Sequence, residues 1–419
     1  MSELKNSKNS TSFLGLRTLS SMQNPVFRLF FFGTLAQFAA MTMQMVTSPL
    51  LIYRLTESSA LLGIMSLASA FPVIILSLFG GAIADRIQKK QILVMGLLCL
   101  GIIAFGISIA LAKGYISREN QGSWWILLAS SFLQGIVMGL MMPAVQAIIP
   151  ELVSKEHATN AVALNMMGMN IMNLVAPALA GFLIDAYDFE AVYYTTAGLF
   201  LCSAVLLFFL PRTSRIVNNA GNILADIQQG IKYIRHDTMI LFILVFTLFL
   251  VMLSQPYQQL LPIFVDDILK VGATGMGILM SVSGAGALVG TLAIASLPNR
   301  KRGLVLLLSG LVSGLGLVVF SFSTSWGLSL TFIVFVGLGQ TIRSTIGSAL
   351  LQSYTEAGYM GRVMSILMVQ WGLSSLCTFV AGLMAEVIPV QWVLGGFAMI
   401  LILGTFVALF VFPRIRKLD

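Results

Sequence analysis

Residues 81–112 read GAIADRIQKKQILVMGLLCLGIIAFGISIALA, a short charged segment followed by a long apolar one. The apolar part, 91–112, carries no charged side chain. A helix rises about 1.5 Å per residue, so this part is long enough to cross the roughly 30 Å hydrocarbon core of a bilayer. The stretch therefore predicts a transmembrane helix that begins directly after a positively charged loop.

Apolar segments of similar length recur along the whole chain of 419 residues, which is 58% hydrophobic and 10% charged, with a mean hydropathy of +0.93. A soluble protein carries roughly 25% charged residues, so this composition excludes a soluble enzyme, a disulfide-stapled secreted domain and a disordered scaffold. Only helices or closed barrels satisfy their backbone in lipid, and the segments lack the alternation of a barrel. Twelve helical spans are predicted, at 27–52, 60–84, 91–112, 123–149, 159–184, 191–210, 239–264, 275–297, 303–323, 327–353, 362–386 and 390–412.

The positive charges are distributed unevenly among the connections between these spans. With the N-terminus placed inside, nineteen Lys and Arg residues fall in cytoplasmic connections and tails, and four fall in outside connections. By the positive-inside rule, this bias predicts a multi-pass protein of the bacterial inner membrane with both termini in the cytoplasm. The bias also accounts for the net charge of +8 without any nucleic-acid partner.

The spans divide into two groups of six. The predicted organisation is a cytoplasmic tail (1–22), an N-terminal half (23–210), a cytoplasmic linker (211–238), a C-terminal half (239–412) and a second cytoplasmic tail (413–419). Isoleucines spaced three or four residues apart in the linker, with charged residues between them, predict a short amphipathic helix at the membrane surface.

Equivalent positions in the two groups indicate a duplication. Gly63 and Arg86 bracket the second span, and Gly277 and Arg300 bracket the eighth at the same separation, offset by 214 residues. The predicted fold is therefore an all-α integral membrane protein with twelve transmembrane helices in two pseudo-symmetric six-helix halves. Such halves around a midplane site are typical of transporters in which one half rocks against the other.

Residues 81–90, GAIADRIQKK, resemble the signature of the major facilitator superfamily, which has a glycine, then Asp-Arg, then two basic residues between spans two and three. Residues 299–302, NRKR, look like a degraded copy between spans eight and nine. The resemblance extends from about residue 25 to 413. Further phrases are similar to the bacterial efflux branch that includes macrolide and enterobactin exporters: NPVFR at 24–28, PELV at 150–153, NAVALN at 160–165 and GRVMS at 361–365.

The resemblance implies a gating role for the charged loop. In the family, the aspartate equivalent to Asp85 lies near a helix terminus across the boundary between the halves and latches the outward-facing state. A carboxylate favours a helix N-terminus by about 0.3–1 kcal/mol, which is enough to bias a nearly balanced equilibrium. The expected gating set joins Arg86, Lys89, Lys90 and Arg300 to Asp85. The alternative is a solvated loop whose charges only fix the orientation.

Four departures from the family pattern are present. Gln88 stands where the family usually has a second glycine, and Asn299 replaces the aspartate of the second copy. Ser131 stands where many proton-coupled members carry an arginine in the fourth span. The fifth span of antiporters often reads Gly-Pro and then Gly-Gly, whereas this sequence has Ala176-Pro177 and Ala180-Gly181. The resemblance therefore suggests antiport without securing it by motif.

Polar residues within spans one, four, five, seven, ten and eleven are candidates for a substrate cavity. Buried amides are costly unless they pair or face water. In the family, spans one, four, seven and ten line the central cavity. The alternative is that these groups join neighbouring helices. The candidates are Gln37, Gln44, Gln134, Asn165, Asn170, Gln258, Gln340, Arg343, Gln370 and Trp371.

Arg343 differs from the other candidates because it is charged. It lies about ten residues from the cytoplasmic end of its span, roughly 15 Å along a helix, so extension of the side chain to water is marginal. An ionisable group in this position predicts contact with an anionic substrate or pairing at a gate. The alternative is a structural arginine satisfied by amides or by snorkelling.

No acidic residue falls near the middle of a predicted span, although midplane carboxylates are the usual proton relay. Asp185 and Glu386 are the nearest candidates for coupling, since they end the fifth and eleventh spans at equivalent places. The alternative for each is a solvated helix end. Amphipathic molecules that are neutral, zwitterionic or anionic suit this chain better than polyvalent cations.

The function predicted from these features is secondary active export of amphipathic small molecules, drug-like or siderophore-like, by alternating access and with proton coupling. One alternative is movement of lysolipids or other lipids without a midplane proton relay, and another is a receptor or scaffold that transports nothing. An enzyme is not expected, because no nucleophile–base or acid–base pair lies within the spans. We expect no cofactor and no metal; the expected partners are the substrate, the lipid bilayer and protons, and one chain suffices as a monomer.

Overall fold

The computed structural model describes residues 20–86, 88–120, 122–153, 157–211, 223–296, 300–356, 359–411 and 416. These residues are almost entirely helical, and they form no β-strand among the described segments. The first half contains α1 (Pro25–Thr56), α2 (Ser59–Arg86), α3 (Lys89–Ala112), α4 (Trp124–Leu152) and α5 (Ala158–Phe208). A linker helix, α6 (Ile223–His236), follows. The second half contains α7 (Thr238–Ser254), α8 (Pro256–Ile263), α9 (Gly272–Ser296), α10 (Arg302–Phe322), α11 (Trp326–Tyr354), α12 (Met360–Ala385) and α13 (Val390–Val411).

Eleven helices in the described part of the chain are long and apolar enough to cross a membrane. One of them, α5, is long enough to cross twice. It turns back at Asp188, whose backbone has φ 71° and ψ 174°, so it consists of two legs, 158–187 and 189–208. The structure is therefore consistent with the predicted twelve crossings, with a connection between spans five and six that is shorter than the sequence predicts.

The seventh predicted span, 239–264, is not one continuous helix. It breaks between Ser254 and Pro256, because proline lacks the N–H that the preceding turn would need and its ring crowds that turn. The chain then continues through α8 into a π-helical turn, Phe264–Ile268. Broken helices in transporters are characteristic of segments that line a cavity.

The two halves meet along two equivalent helix pairs, α5 with α9 and α12 with α2. Glycines bring the backbones together at both crossings. A Cβ atom at Gly277 would lie 2.3 Å from the carbonyl oxygen of Pro177, and one at Gly63 would lie 2.9 Å from Cα of Phe379. Small residues permit this close approach where lipid provides no hydrophobic driving force between helices.

The linker helix α6 is attached to the second half. Tyr233 stacks on Tyr359, which precedes α12, with ring centroids 4.1 Å apart and an interplanar angle of 4°. The Tyr233 hydroxyl accepts a hydrogen bond from the backbone N–H of Glu356 at 3.2 Å. The Arg362 guanidinium lies 5.4 Å from the centroid of the Tyr359 ring. These contacts fix α6 beside the first turn of α12.

Candidate functional site: a central cavity and a closed gate

A cavity of about 380 Å³ lies between the two halves. This volume falls within the range of roughly 300–1,000 Å³ that small-molecule sites occupy. Its lining, as far as the described residues form it, consists of methionine, amide, hydroxyl and aliphatic groups and contains no charged residue. The lining residues are Met41, Gln44, Met45, Ser48, Pro49, Met65, Ser69, Ala70, Val73, Leu100, Ser131, Gln134, Gly135, Met138, Gln258, Gln259, Met280 and Gly372.

Three of the predicted cavity residues, Gln44, Gln134 and Gln258, line this space. Gln44 is notable because its Nε2 is buried and has no hydrogen-bond partner among the described residues. An unsatisfied buried donor costs roughly 1–3 kcal/mol. Gln258 differs, since its amide accepts a hydrogen bond from Gln255 at 2.9 Å and donates one to the Tyr257 hydroxyl at 3.4 Å.

Other predicted cavity amides do not line this space and join helices instead, which was the alternative for them. Gln370 donates to the backbone oxygen of Leu244 at 2.9 Å and to Thr247 Oγ1 at 3.0 Å. Gln340 donates to the backbone oxygen of Ser254 at 3.4 Å.

In the first half, Asn165 Oδ1 accepts a hydrogen bond from Thr34 at 3.0 Å, and Gln37 Nε2 lies 3.8 Å from Met41 Sδ. Asn170 is half-buried and does not line the cavity. The side chain of Trp371 lies outside the described part of the chain. A substrate contact in another conformation stays a prediction for each of these residues.

Arg343 is buried, with 7% of its surface exposed, and its Nε has no hydrogen-bond partner among the described residues. It does not line the cavity. Its neighbours one turn away face the interior of the second half: Gly347 contacts Thr247 of α7, and Gly339 contacts Ser309 of α10. Its predicted role in substrate contact or gate pairing stays a prediction.

Polar contacts between the halves close one end of the bundle, where α1 and α12 end and α2 and α9 begin; we call it the closed end. The Arg54 guanidinium donates to both carboxylate oxygens of Asp266, with Nε–Oδ2 at 2.8 Å and Nη2–Oδ1 at 3.0 Å. Beside this ion pair, the Tyr53 hydroxyl donates a hydrogen bond to Asp267. Charge-assisted bonds of this two-pronged type are stronger and more directional than neutral ones.

The two coupling candidates also lie at the closed end, and each reaches into the opposite half. Asp185, in the first leg of α5, accepts hydrogen bonds from the backbone N–H groups of Ala273 at 3.3 Å and Thr274 at 2.7 Å, in the first turn of α9. Glu386, directly after α12, accepts from the backbone N–H of Ala60 at 2.8 Å, in the first turn of α2, and from the Ser58 hydroxyl. The hydrogen bonds from Ser58 and Ala60 lower the pKa of Glu386 below its usual value.

The opposite end of the bundle carries the linker helix and the predicted gating loop; we call it the linker end. Lys89, which is buried, pairs with Glu151 at the end of α4. Lys90 donates to the backbone oxygen of Leu210. Both contacts lie within the first half, and Arg300 is exposed. The side chains of Asp85 and Arg86 lie outside the described part of the chain, so the family's latch at this loop stays a prediction.

The site residues predicted from the sequence do not include Tyr53, Arg54, Asp266 or Asp267. The internal repeat contains a pattern from which these residues could be predicted. Arg54 and Asp267 are 213 residues apart, the offset that also separates Pro49 and Pro262 in the same pair of spans. Arg54 and Asp267 thus have opposite charges at equivalent positions of two related helices. Such a pattern predicts that the two helix ends meet where the halves are in contact.

A family model described as Major Facilitator Superfamily matches residues 30–376 and 260–419. Macrolide efflux protein A of Streptococcus pyogenes is 24% identical over 345 residues, which cover 78% of this chain and 83% of the relative. The enterobactin exporter EntS of Shigella boydii is 23% identical over 344 residues, covering 81% of this chain and 80% of the relative.

Among solved structures, the crystal structure of a mutant of the nucleoside transporter NupG has a TM-score of 0.75 at 13% identity and covers 92% of this chain and 100% of its own. At this identity the likeness supports the fold alone. The family model covers both halves, and the helices, the pseudo-twofold contacts and the cavity between the halves agree with it. The chain is therefore a multi-pass membrane transporter that belongs to the major facilitator superfamily.

Proposed function

We propose that this protein exports amphipathic small molecules across the bacterial inner membrane by alternating access, in exchange for protons. The observation that carries the proposal is the uncharged cavity between the halves, rich in methionine and amide groups and lying next to a closed gate. Methionine side chains adapt to ligands of varied shape. Relatives named for macrolide efflux and enterobactin export support the outward direction.

The lining indicates which amphiphiles fit. Its described residues include no charged one, so ligands whose polar groups are mostly ethers, esters, hydroxyls or amides bind without leaving a charge unpaired in the cavity. The free Nε2 of Gln44 is a donor for an acceptor oxygen of such a ligand. A lysophospholipid is the second candidate because much of the lining is apolar, although the described lining offers no cation for its phosphate.

The positive-inside bias supports placing the linker end in the cytoplasm, with the closed end facing outwards. In this orientation we assign the closed end to the step of the cycle in which substrate is loaded from the inside. The proton gradient is the proposed source of energy. Asp185 and Glu386 are the proposed coupling groups at the gate. The hydrogen bonds that lower the pKa of Glu386 support this part of the proposal, because a group that binds protons differently in two states links proton concentration to the equilibrium between them.

Transport into everted membrane vesicles tests the proposal directly. Macrolide, catecholate siderophore and lysophospholipid are supplied separately, with the pH gradient intact or collapsed by a proton–cation exchanger. We expect uptake of the macrolide or the siderophore that stops when the gradient is collapsed. Uptake of lysophospholipid alone, unaffected by the gradient, would establish the lipid alternative instead, and no uptake of any probe would support the receptor or scaffold.

The substitution Gln44→Leu tests the cavity in the same assay. Loss of one hydrogen bond to the ligand is expected to raise the half-saturating concentration roughly fivefold, with little change in the maximal rate. The matched control is Gln91→Leu, which makes the same chemical change at an exposed position of α3 away from the cavity. An unchanged half-saturating concentration in Gln44→Leu would show that this amide does not contact the transported molecule.

A further inference from the structure

Asp185 and Glu386 form a matched pair. Each lies at the closed end, and each accepts a hydrogen bond from the first turn of the helix that it faces. The two donors, Ala60 and Thr274, are 214 residues apart, which is also the offset between Gly63 and Gly277. The first half therefore caps a helix of the second half, and the second half caps the equivalent helix of the first.

Each carboxylate lies four residues after a glycine that sets the spacing of the same helix crossing. A Cβ atom at Gly181 would lie 2.3 Å from the carbonyl oxygen of Ala273, and one at Gly382 would lie 2.6 Å from that of Ser59. Because the crossing is this close, rocking of the halves that separates the backbones also withdraws each carboxylate from the N–H groups that it caps. The caps are contacts of the closed state.

Several other charged residues lie near Asp185 and Glu386. Near Asp185 lies Arg54, which interacts electrostatically with Asp185, Asp266 and Asp188. Lys270 is exposed just before the capped turn of α9.

Glu386 shares a pocket with Tyr53, Glu57 and Asp267. Arg54 is engaged by Asp266 and Tyr53 by Asp267, so neither is an ion-pair partner of Asp185 or Glu386. The hydrogen bonds to Asp185 therefore come from the N–H groups of Ala273 and Thr274, and those to Glu386 come from the Ser58 hydroxyl and the N–H of Ala60.

We infer that Asp185 and Glu386 are twin latches that hold the closed end shut by capping helices of the opposite half, and that protonation of Glu386 weakens this closure. The inference rests on alternating access as proposed above and names the groups that hold the gate and the one that makes it sensitive to pH. An ionised carboxylate is favoured at a helix N-terminus by the partial positive charge there, and a protonated one is not.

The sign of the pH effect follows from the hydrogen bonds. The pKa of Glu386 is lowered in the closed state, and it returns to the ordinary glutamate value of about 4.3 when the cap is broken. At a pH above this ordinary pKa, the hydrogen bonds to Glu386 therefore make their full contribution to the closed state. That contribution is lost as the pH falls through the lowered value, so acid favours the state that is open at this end.

Spin-label distance measurements across the closed end test the inference without any substrate. Lys113→Cys at the end of α3 and Thr324→Cys after α10 are exposed positions in opposite halves. They are introduced after replacement of Cys99, Cys202 and Cys377, and the full chain is reconstituted in nanodiscs. At pH 7.5, Asp185→Asn and Glu386→Gln are each expected to raise the ratio of long to short distances roughly threefold, and the double variant about tenfold.

Matched controls are Asp188→Asn and Glu57→Gln, which neutralise exposed carboxylates at the same end that cap no helix of the opposite half. Asp188 accepts from the N–H of Phe189 in its own segment, and Glu57 pairs with Arg118 at 3.2 Å. We expect the control distances to match the wild-type protein. At a pH well below the ordinary glutamate pKa of about 4.3, the wild-type ratio should rise, and the double variant should lose most of that response.

An unchanged ratio in the double variant at pH 7.5, or a full wild-type response to acid in that variant, would overturn the inference. An equal shift in the control variants would overturn it as well, since it would assign the effect to net charge. Failure of the vesicle assay with the distance shifts intact would reject the proposed export and keep the latches, so the two failures are distinguishable.

Discussion

Reversal of charge at Arg54 is expected to abolish most transport, and reversal at its partner to restore it. The substitution Arg54→Glu places a carboxylate opposite Asp266, where the guanidinium now makes two hydrogen bonds. Repulsion there prevents closure of the gate, so we expect a fall of at least roughly tenfold in the rate of vesicle uptake, given about 1.5–3 kcal/mol for a hydrogen bond to a charged group. The double variant Arg54→Glu/Asp266→Arg should recover a substantial part of the rate.

The matched control for this exchange is Arg118→Glu. Arg118 is an exposed arginine at the same end that pairs with the exposed Glu57 and donates to the backbone oxygen of Arg54, so this change leaves the guanidinium of Arg54 and its bonds to Asp266 in place. Exposed ion pairs contribute little, so its uptake should stay close to wild type. Two outcomes would contradict the role of the Arg54–Asp266 pair. One is normal transport by Arg54→Glu, and the other is a double variant as inactive as the single.

Replacement of Gly277 by leucine is the second change with a large expected effect. A side chain at this position would meet the backbone of the opposite half, with its Cβ only 2.3 Å from the carbonyl oxygen of Pro177. Backbone cannot move aside as a flexible side chain can, so the halves must separate at the α5–α9 crossing. We expect uptake to fall at least roughly tenfold, since overpacking typically costs about 1–3 kcal/mol. The spin-label pair across the closed end should report mostly long distances.

The control for this substitution is Gly106→Leu in α3, where an added Cβ has no atom within 4 Å. Its uptake and distances should match the wild-type protein. Normal gate distances in Gly277→Leu would show that the crossing tolerates a side chain, and the account of the glycines as spacers would then be wrong.

The architecture follows from the sequence because the bilayer imposes a length on every span. Each helix must be apolar for about 20 residues, and that requirement leaves a signal in composition alone. The turn at Asp188 is a feature that the length requirement does not predict. A reversal made by one residue with positive φ leaves almost no polar connection, so the sequence predicts a longer loop there than the structure contains.

The candidate site was only partly predictable, for a physical reason. An amide in a span can be satisfied by a neighbouring helix or by a ligand, and both choices require the same residue type. Gln370 and Gln44 are both buried amides in spans. The first bonds to α7, whereas the second lines the cavity and has a buried Nε2 with no partner among the described residues. The gate pair Arg54 and Asp266 was missed because charged residues at span ends are expected for solubility in any membrane protein. Only the partner across the halves distinguishes a gate from a solvated end.

The stacking of Tyr233 on Tyr359 attaches α6 to the second half, so we expect the helix to move with that half. One face of α6 exposes Ile231, which is 42% exposed, beside the cations Lys232 and Arg235. An amphipathic surface of this composition is suited to anionic headgroups at a membrane surface. With the proposed rocking of the halves, this surface tilts against the headgroups, so we expect the lipid composition and lateral pressure of the membrane to contribute to the balance between the two states.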